Sequence, residues 1–428
     1  MGSIYDPAGA YYQGGRYHVF SYRNMMYLLR YCSLDHYVSD DLVHWREWPI
    51  GPWADSDIDV YGIWLMNHFI DGDGVPTSIY TALGKGGKRG VLARSHDDLL
   101  TYGEKQAVMA GHYHDGHIWK DGDTWYTITS RMYKETRSGN RGDGVMLRSS
   151  SDLKTWCELG EIFTQPKDDN AAHSGDRRGF MEFPYLLSFG DKDVLMLGGH
   201  PVRYWVGYFD RQAVKFVSST EQGLLLDYTN PFHCFNPLCV DDKGPGGAPR
   251  RIIMALHGSI NSGDFDGMPW NGVHVMPRSL ELEGDHLRQE PLPEYQALRG
   301  AHHSQSDLTV QPGIEGYVSV RGDVVEIIAD FEPDQATAFG LKVRMSGDGE
   351  RYIRIFYDTA SCEFGVDGSV PDSPQPSGPM AVQGRGSSYL AEGQPVRLHV
   401  FVDKLVVEAF VNGQTCTVIG LDRDPASD

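Results

Sequence analysis

The sequence of 428 residues predicts an all-β protein, a five-bladed β-propeller followed by a C-terminal β-sandwich. Three observations carry this. A short phrase recurs at near-constant spacing through the first part of the chain. Brief alternating apolar and polar runs lie between its copies. Near residue 295 the pattern changes to longer, more regular alternation.

The phrase is Ser39-Asp40-Asp41-Leu42-Val43-His44-Trp45. It returns as Ser95-His96-Asp97-Asp98-Leu99-Leu100-Thr101-Tyr102 and as Ser151-Asp152-Leu153-Lys154-Thr155-Trp156, with a weaker echo in Asp210 to Phe216. The closing aromatics stand roughly 54 to 60 residues apart, a period of propeller blades or solenoid units. Each copy follows a β-like run such as Gly144-Val145-Met146-Leu147-Arg148-Ser149, so the phrase reads as a tight turn between the outer strands of a blade, its aromatic packing on the next blade. Trp125 to Thr129, Val194 to Leu197 and Arg251 to Leu256 read as strands bounded by Gly and Asp turns. At this period residues 1–295 hold about five blades. Pro291 to Arg299 reads as a short helical linker. Beyond it, Val324 to Ala329, Tyr352 to Tyr357, Val396 to Val402 and Val406 to Val411 alternate as strands, the last ending in the hairpin pair Asn412-Gly413. Residues 296–428 therefore read as the sandwich.

A formal net charge of -20 argues against nucleic acid or an anionic membrane as partner and suits a small neutral carbohydrate. The six cysteines form no Cys-x-x-Cys pair, so a zinc ribbon or redox motif is not expected, and free thiols point to a reducing, cytoplasmic setting. No apolar run is long enough to span a bilayer. No signal peptide is visible, although a chain starting just before Asp6 also fits a secreted protein whose leader is gone. The sequence carries no sign of oligomeric state.

Three acids stand out because each lies in an apolar or aromatic run: Asp6 in Tyr5-Asp6-Pro7-Ala8-Gly9, Asp115 in His114-Asp115-Gly116, and Glu182 in Met181-Glu182-Phe183-Pro184. A carboxylate in such surroundings is costly unless paired or used. Two carboxylates across a sugar are the usual means of cleaving a glycosidic bond. The plainer readings are a turn for Asp-Pro-x-Gly and a structural role for a lone Glu before an aromatic-Pro pair. His112, His114 and His117 around Asp115 raise a metal site, but strand alternation splits them between two faces, so no metal and no cofactor are expected.

The order of these motifs resembles glycoside hydrolase family 32, the invertase, inulinase and levanase family, over nearly the whole chain. Tyr5-Asp6-Pro7-Ala8-Gly9 is similar to its Asn-Asp-Pro-Asn-Gly nucleophile motif, His114-Asp115-Gly116 to Arg-Asp-Pro, and Glu182-Phe183-Pro184 to Glu-Cys-Pro. Pro201 to Gly207, Met276 to Leu282 and Val407 to Gly413 are also similar. The resemblance implies a five-bladed propeller with a sandwich and retaining double displacement on sucrose, fructo-oligosaccharides or fructans. Asp6 would be the nucleophile, Glu182 the acid/base, and Asp115 the holder of two ring hydroxyls. The carboxyls of Asp6 and Glu182 would lie roughly 5–5.5 Å apart. Phe180, Phe183 and Tyr185 would disfavour charge on Glu182. Candidate sugar contacts are Tyr5, Trp64, His114, Asn236 and Trp270, with inter-blade packing the competing role for the two tryptophans. The departures are Tyr5, His114 and Gly116 for Asn, Arg and Pro, Leu65 for a hydroxyl, and no Trp near Leu256. They point to an altered sugar pocket. A fructosyltransferase, including one forming difructose anhydrides, and a carbohydrate-binding protein without catalysis are the alternatives.

Overall fold

The computed structural model describes residues 2–23, 34–110, 113, 115–131, 144–165, 182–198, 202–228, 232–235, 239–257, 270–271, 273–313, 316, 318, 320–349, 351–369, 383–390, 393–404 and 406–419. It divides into two compact units, Met1–Leu226 with His233–Leu287, and Asp227–Phe232 with Arg288–Asp428. The architecture is a five-bladed β-propeller and a β-sandwich.

Blade 1 comprises Gly2–Gln13, Arg16–Arg23, Leu34–Ser39 and Trp45–Trp48. Blade 2 comprises Gly62–Ile70, Pro76–Gly84, Gly87–Arg94 and Gly103–Ala110. Blade 3 comprises Gly116–Asp121, Thr124–Arg131, Gly144–Ser150 and Cys157–Thr164, and blade 4 comprises Glu182–Phe189, Lys192–Gly198, Arg203–Asp210 and Lys215–Ser218. Each is an antiparallel meander in chain order. In blade 5 the first three strands are each broken in two: Phe232–Phe235 and Cys239–Asp241, Arg250–Ile253 and Ala255–His257, then Val273–His274 and Arg278–Glu283, with His286–Pro291 outermost. The first strands of blades 1 to 4 lie side by side in sequence order, and that of blade 1 also meets blade 5, so the ring closes. Closure uses parallel pairing of Gly2 and Ser3 with Trp270 and Asn271. It also uses a buried trio in which the Tyr17 hydroxyl donates to Asp241 at 2.6 Å while the Arg250 guanidinium approaches the same carboxylate at 2.6 Å.

The recurring phrase forms the turn between third and fourth strands. In blade 1, Asp41 Oδ1 accepts the amides of Val43 at 2.9 Å and His44 at 2.7 Å. In blade 3, Asp152 Oδ1 accepts those of Lys154 at 2.9 Å and Thr155 at 2.7 Å. Such side-chain capping explains Asp at this position. Leu42 and Leu153 both take a φ of 63°, and the Trp45 and Trp156 indoles donate to their carbonyls. A left-handed leucine costs roughly 1–2 kcal/mol, offset here because both leucines are buried. Blades 2 and 4 use Asp97 and Asp210 in related turns. The aromatics pack on the preceding blade rather than the next. Tyr102 joins Phe20 of blade 1, Trp156 joins Ile79 and Leu92 of blade 2, and Phe216 joins Ile128 and Val145 of blade 3. Sheet twist, accumulated across four strands, swings each outer hairpin that way.

In the second unit, Val324–Phe331, Val396–Asp403, Val406–Val411 and Gln414–Ile419 form one four-stranded sheet, and Ala338–Val343, Tyr352–Asp358, Glu363–Ser369 and Gln383–Ser387 form the other. Alternate residues Val396, Leu398, Val400 and Val402 point into one core with Ile353, Ile355, Phe364 and Val366. Asn412 (φ 48°) and Gly413 (φ 86°) make the expected hairpin turn. The linker contains a 3-10 helix, Pro293–Leu298. Cys157, Cys239 and Cys362 are free thiols.

Candidate active site

In blades 1, 2 and 4 the innermost ladder slips at the entrance of its first strand. In blade 1 the register slips between Ile4 and Pro7 and again before Gly9, so Tyr5 and Asp6 fall in a bulge. In blade 2 it slips between Ile63 and Met66, around Trp64 and Leu65. In blade 4 it slips between Glu182 and Tyr185, where Phe183 has a φ of 50°. In blade 3, Asp115, at a φ of 40°, turns the chain into the strand beginning at Gly116. Innermost strands of a propeller run the same way along its axis, so these entrances gather at one end. Bulges there re-aim side chains away from regular alternation. Trp270 belongs to the same end through its backbone pairing with Gly2. For Tyr5, Asp6 and Trp270 the description covers the backbone, and His112, His114 and Asn236 lie outside the described residues.

Gly9 shows why the Asp6 motif needs its glycine. A Cβ there would sit 2.8 Å from the Met66 carbonyl oxygen, so only glycine lets the first strands of blades 1 and 2 approach this closely.

Asp115 is only 2% exposed. Its N–H donates to Thr81 Oγ1 at 3.2 Å, and the Asn67 side-chain amide donates to the Gly116 carbonyl. The Tyr113 ring covers Gly90, where a Cβ would meet it at 3.0 Å. Thr81 and Gly90 are paired neighbours on blade 2. The entrance of blade 3 is thus clamped onto the face of blade 2. Gly116 has a local cause too, since a Cβ would lie 2.6 Å from the Tyr113 hydroxyl.

Glu182 is half-buried and pairs with Gly198, whose bare Cα makes room for Phe183. Trp64 is partly buried against the cluster between blades 1 and 2, and Lys88 Nζ lies 4.3 Å from its ring centroid. Burial lowers the Lys88 ammonium below its ordinary range, while the charges of Asp115 and Glu182 pull it back up. His117 packs against Trp119 and Tyr185, and its Nδ1 faces the Leu186 amide at 3.4 Å. Burial pushes its imidazole down to about 4, so it stays neutral. Leu65 and Leu256 are packed into the interior.

Lys88, Thr81 and Asn67 escaped the sequence reading. Gly84-Lys85-Gly86-Gly87-Lys88 reads as a polar hairpin tip, and nothing local separates Lys88 from a solvated surface lysine.

A propeller with acidic residues at the entrances of its inner strands is an arrangement that can serve a glycosidase. Residues 1–291 match the model of the glycosyl hydrolases family 32 N-terminal domain, and residues 294–418 match that of the family 32 C-terminal domain. The chain belongs to glycosyl hydrolase family 32. It is 25% identical to a sucrose-6-phosphate hydrolase of Zymomonas mobilis, over 96% of this chain and 82% of that protein. It is 26% identical to a levanase of Bacillus subtilis, over 95% of this chain and 62% of that one. Among solved structures, fructan 1-exohydrolase IIa from Cichorium intybus superposes with a TM-score of 0.79 at 17% identity, over 99% of this chain and 91% of that chain. Among the described residues no helix is long and apolar enough to cross a membrane.

Proposed function

We propose that this chain is a β-fructofuranosidase-type hydrolase that cleaves sucrose, fructo-oligosaccharides or fructans by retaining double displacement. What supports the reading is the family membership together with the position of Asp6, Asp115 and Glu182 at the entrances of innermost strands that lie side by side. Asp6 attacks the anomeric carbon, forming a glycosyl-enzyme as the bond to the leaving oxygen breaks. Glu182 gives its proton to that oxygen and then takes one from the water that frees the sugar. Asp115, held by Thr81, binds ring hydroxyls with bonds that tighten as positive charge develops on the ring. His114 donates to a sugar hydroxyl, and Tyr5, Trp64, Asn236 and Trp270 line the sugar. The substrate is a small carbohydrate, and free thiols are consistent with a cytoplasmic setting.

The sucrose-6-phosphate hydrolase and levanase relatives add the phosphorylated sugar and levan to the panel worth testing. The experiment is a product profile on sucrose, sucrose 6-phosphate, inulin and levan, with an activated fluoride of the sugar to trap the intermediate. Free fructose and a mass adduct on the peptide bearing Asp6 are expected. Products longer than the substrate would instead favour transfer. No turnover and no adduct on any of these sugars would leave a binding protein.

A further inference from the structure

Asp115 turns the chain into the first strand of blade 3 at a φ of 40°. That is the left-handed region, costly for a residue with a Cβ and kept where its surroundings over-determine it. The surroundings here belong to another blade. On the first strand of blade 2, Met66 joins the cluster that holds Ala8 and Phe20 of blade 1, and the His68 ring stacks on Phe20. Strand alternation therefore aims Asn67, between them, the opposite way, toward blade 3. Its side-chain amide donates to the Gly116 carbonyl. On the second strand Tyr80 joins the same blade 1 cluster, so Thr81 beside it also faces blade 3. Thr81 is fully buried, and its Oγ1 accepts the Asp115 N–H at 3.2 Å. One hydrogen bond thus holds the backbone just before the Asp115 side chain, and the other holds it just after.

We infer that Thr81 and Asn67 are positioning residues for Asp115, two blade 2 side chains that keep a blade 3 acid in a strained backbone conformation and so set where its carboxylate meets the sugar. The inference rests on the reading of Asp115 as the holder of ring hydroxyls. An aspartate has two side-chain torsions, so a pinned backbone leaves its carboxylate few directions. With either hydrogen bond gone, the backbone relaxes toward an ordinary φ and the carboxylate turns away from the hydroxyls. Small misplacements of this kind are expensive in rate.

The test is a double-mutant cycle on the fructoside that the enzyme turns over. Thr81→Val keeps the side-chain shape and removes the acceptor, Thr81→Ser keeps the acceptor, and Asn67→Leu removes the donor. Thr81→Val and Asn67→Leu should each lower kcat/KM about tenfold, and Thr81→Ser should stay within about twofold of the wild type. In an Asp115→Ala background neither change should lower kcat/KM further, because its effect passes through the carboxylate. Amide hydrogen exchange of the whole chain supplies a readout independent of turnover. The Asp115 N–H should exchange faster in Thr81→Val and at the wild-type rate in Thr81→Ser. If Thr81→Val does not fold, Asn67→Leu carries both comparisons. Unchanged kcat/KM in both single variants, unchanged exchange, or a loss that persists in full in the Asp115→Ala background each overturns the proposal. If exchange responds while Asp115→Ala keeps wild-type kcat/KM, or while the wild type hydrolyses no fructoside, the clamp stands and the role given to Asp115 fails.

Discussion

The outer turns of the blades and the entrances of their inner strands are built on opposite principles. At the outer edge, blades 1 and 3 repeat the same hydrogen bonds, the same left-handed leucine and the same indole cap. At the entrances blades 1, 2 and 4 share a slip of three residues against two, around Asp6, at Trp64 and after Glu182, with a second slip in blade 1, while blade 3 turns at Asp115 instead. Repetition marks what every blade needs in order to fold. A break in the ladder marks where side chains have been re-aimed out of regular alternation.

The comparison breaks most visibly if an entrance residue proves structural. Asp6→Asn and Glu182→Gln should each lower kcat by about a thousandfold or more, as losses of an essential nucleophile or acid do, with an unchanged melting temperature. A melting shift with retained turnover would place either residue in the scaffold.

A second effect belongs to the packing between blades 1 and 2. Burial holds His18 down at about 4 and His36 at about 3, and lowers His68 well below its ordinary value. His18 Nδ1 and His36 Nε2 are 3.0 Å apart, and Phe20 stacks on His36 and His68. These groups stay neutral in the fold while the unfolded chain binds protons below about 6.5. Stability is therefore present above that pH and is lost as pH falls toward about 4. At pH 5.5 each imidazole should cost about 1 kcal/mol relative to neutral pH, read from urea unfolding midpoints across the range. A flat profile would mean that these rings are hydrated.

Gly116→Ala forces a methyl against the Tyr113 hydroxyl and displaces Asp115, so kcat/KM should fall about tenfold, or about 1.4 kcal/mol. Adding Tyr113→Phe should restore part of it. Failure of that rescue would separate Gly116 from Tyr113. Smallest is the outer turn: Asp41→Ala should cost about 1 kcal/mol of stability, like loss of a helix cap, and leave kcat/KM unchanged. A change in turnover there would show that the edge communicates with the mouth.

Much of the molecule was legible in sequence. The Asp-Leu turns announce themselves because donor, acceptor and cap lie within seven consecutive residues, Ser39 to Trp45. The sandwich strands announce themselves through alternation with period two. Asp115 and Glu182 stood out by their apolar neighbours. The direction of aromatic packing did not, because sheet twist decides it rather than any local motif. Lys88 did not, because a lysine among glycines looks solvated until its neighbours are known.

The sequence by itself determined the turns, the strand pattern and the acids on offer, since each depends on groups a few bonds apart along the chain. Which residues stand together at the mouth was decided only by the tertiary structure. Thr81 meets Asp115 from 34 positions away and Asn67 meets Gly116 from 49. Contacts of that span exist only after the blades have closed into a ring, where sterics at Gly9, Gly90 and Gly116 set how near one entrance can come to the next.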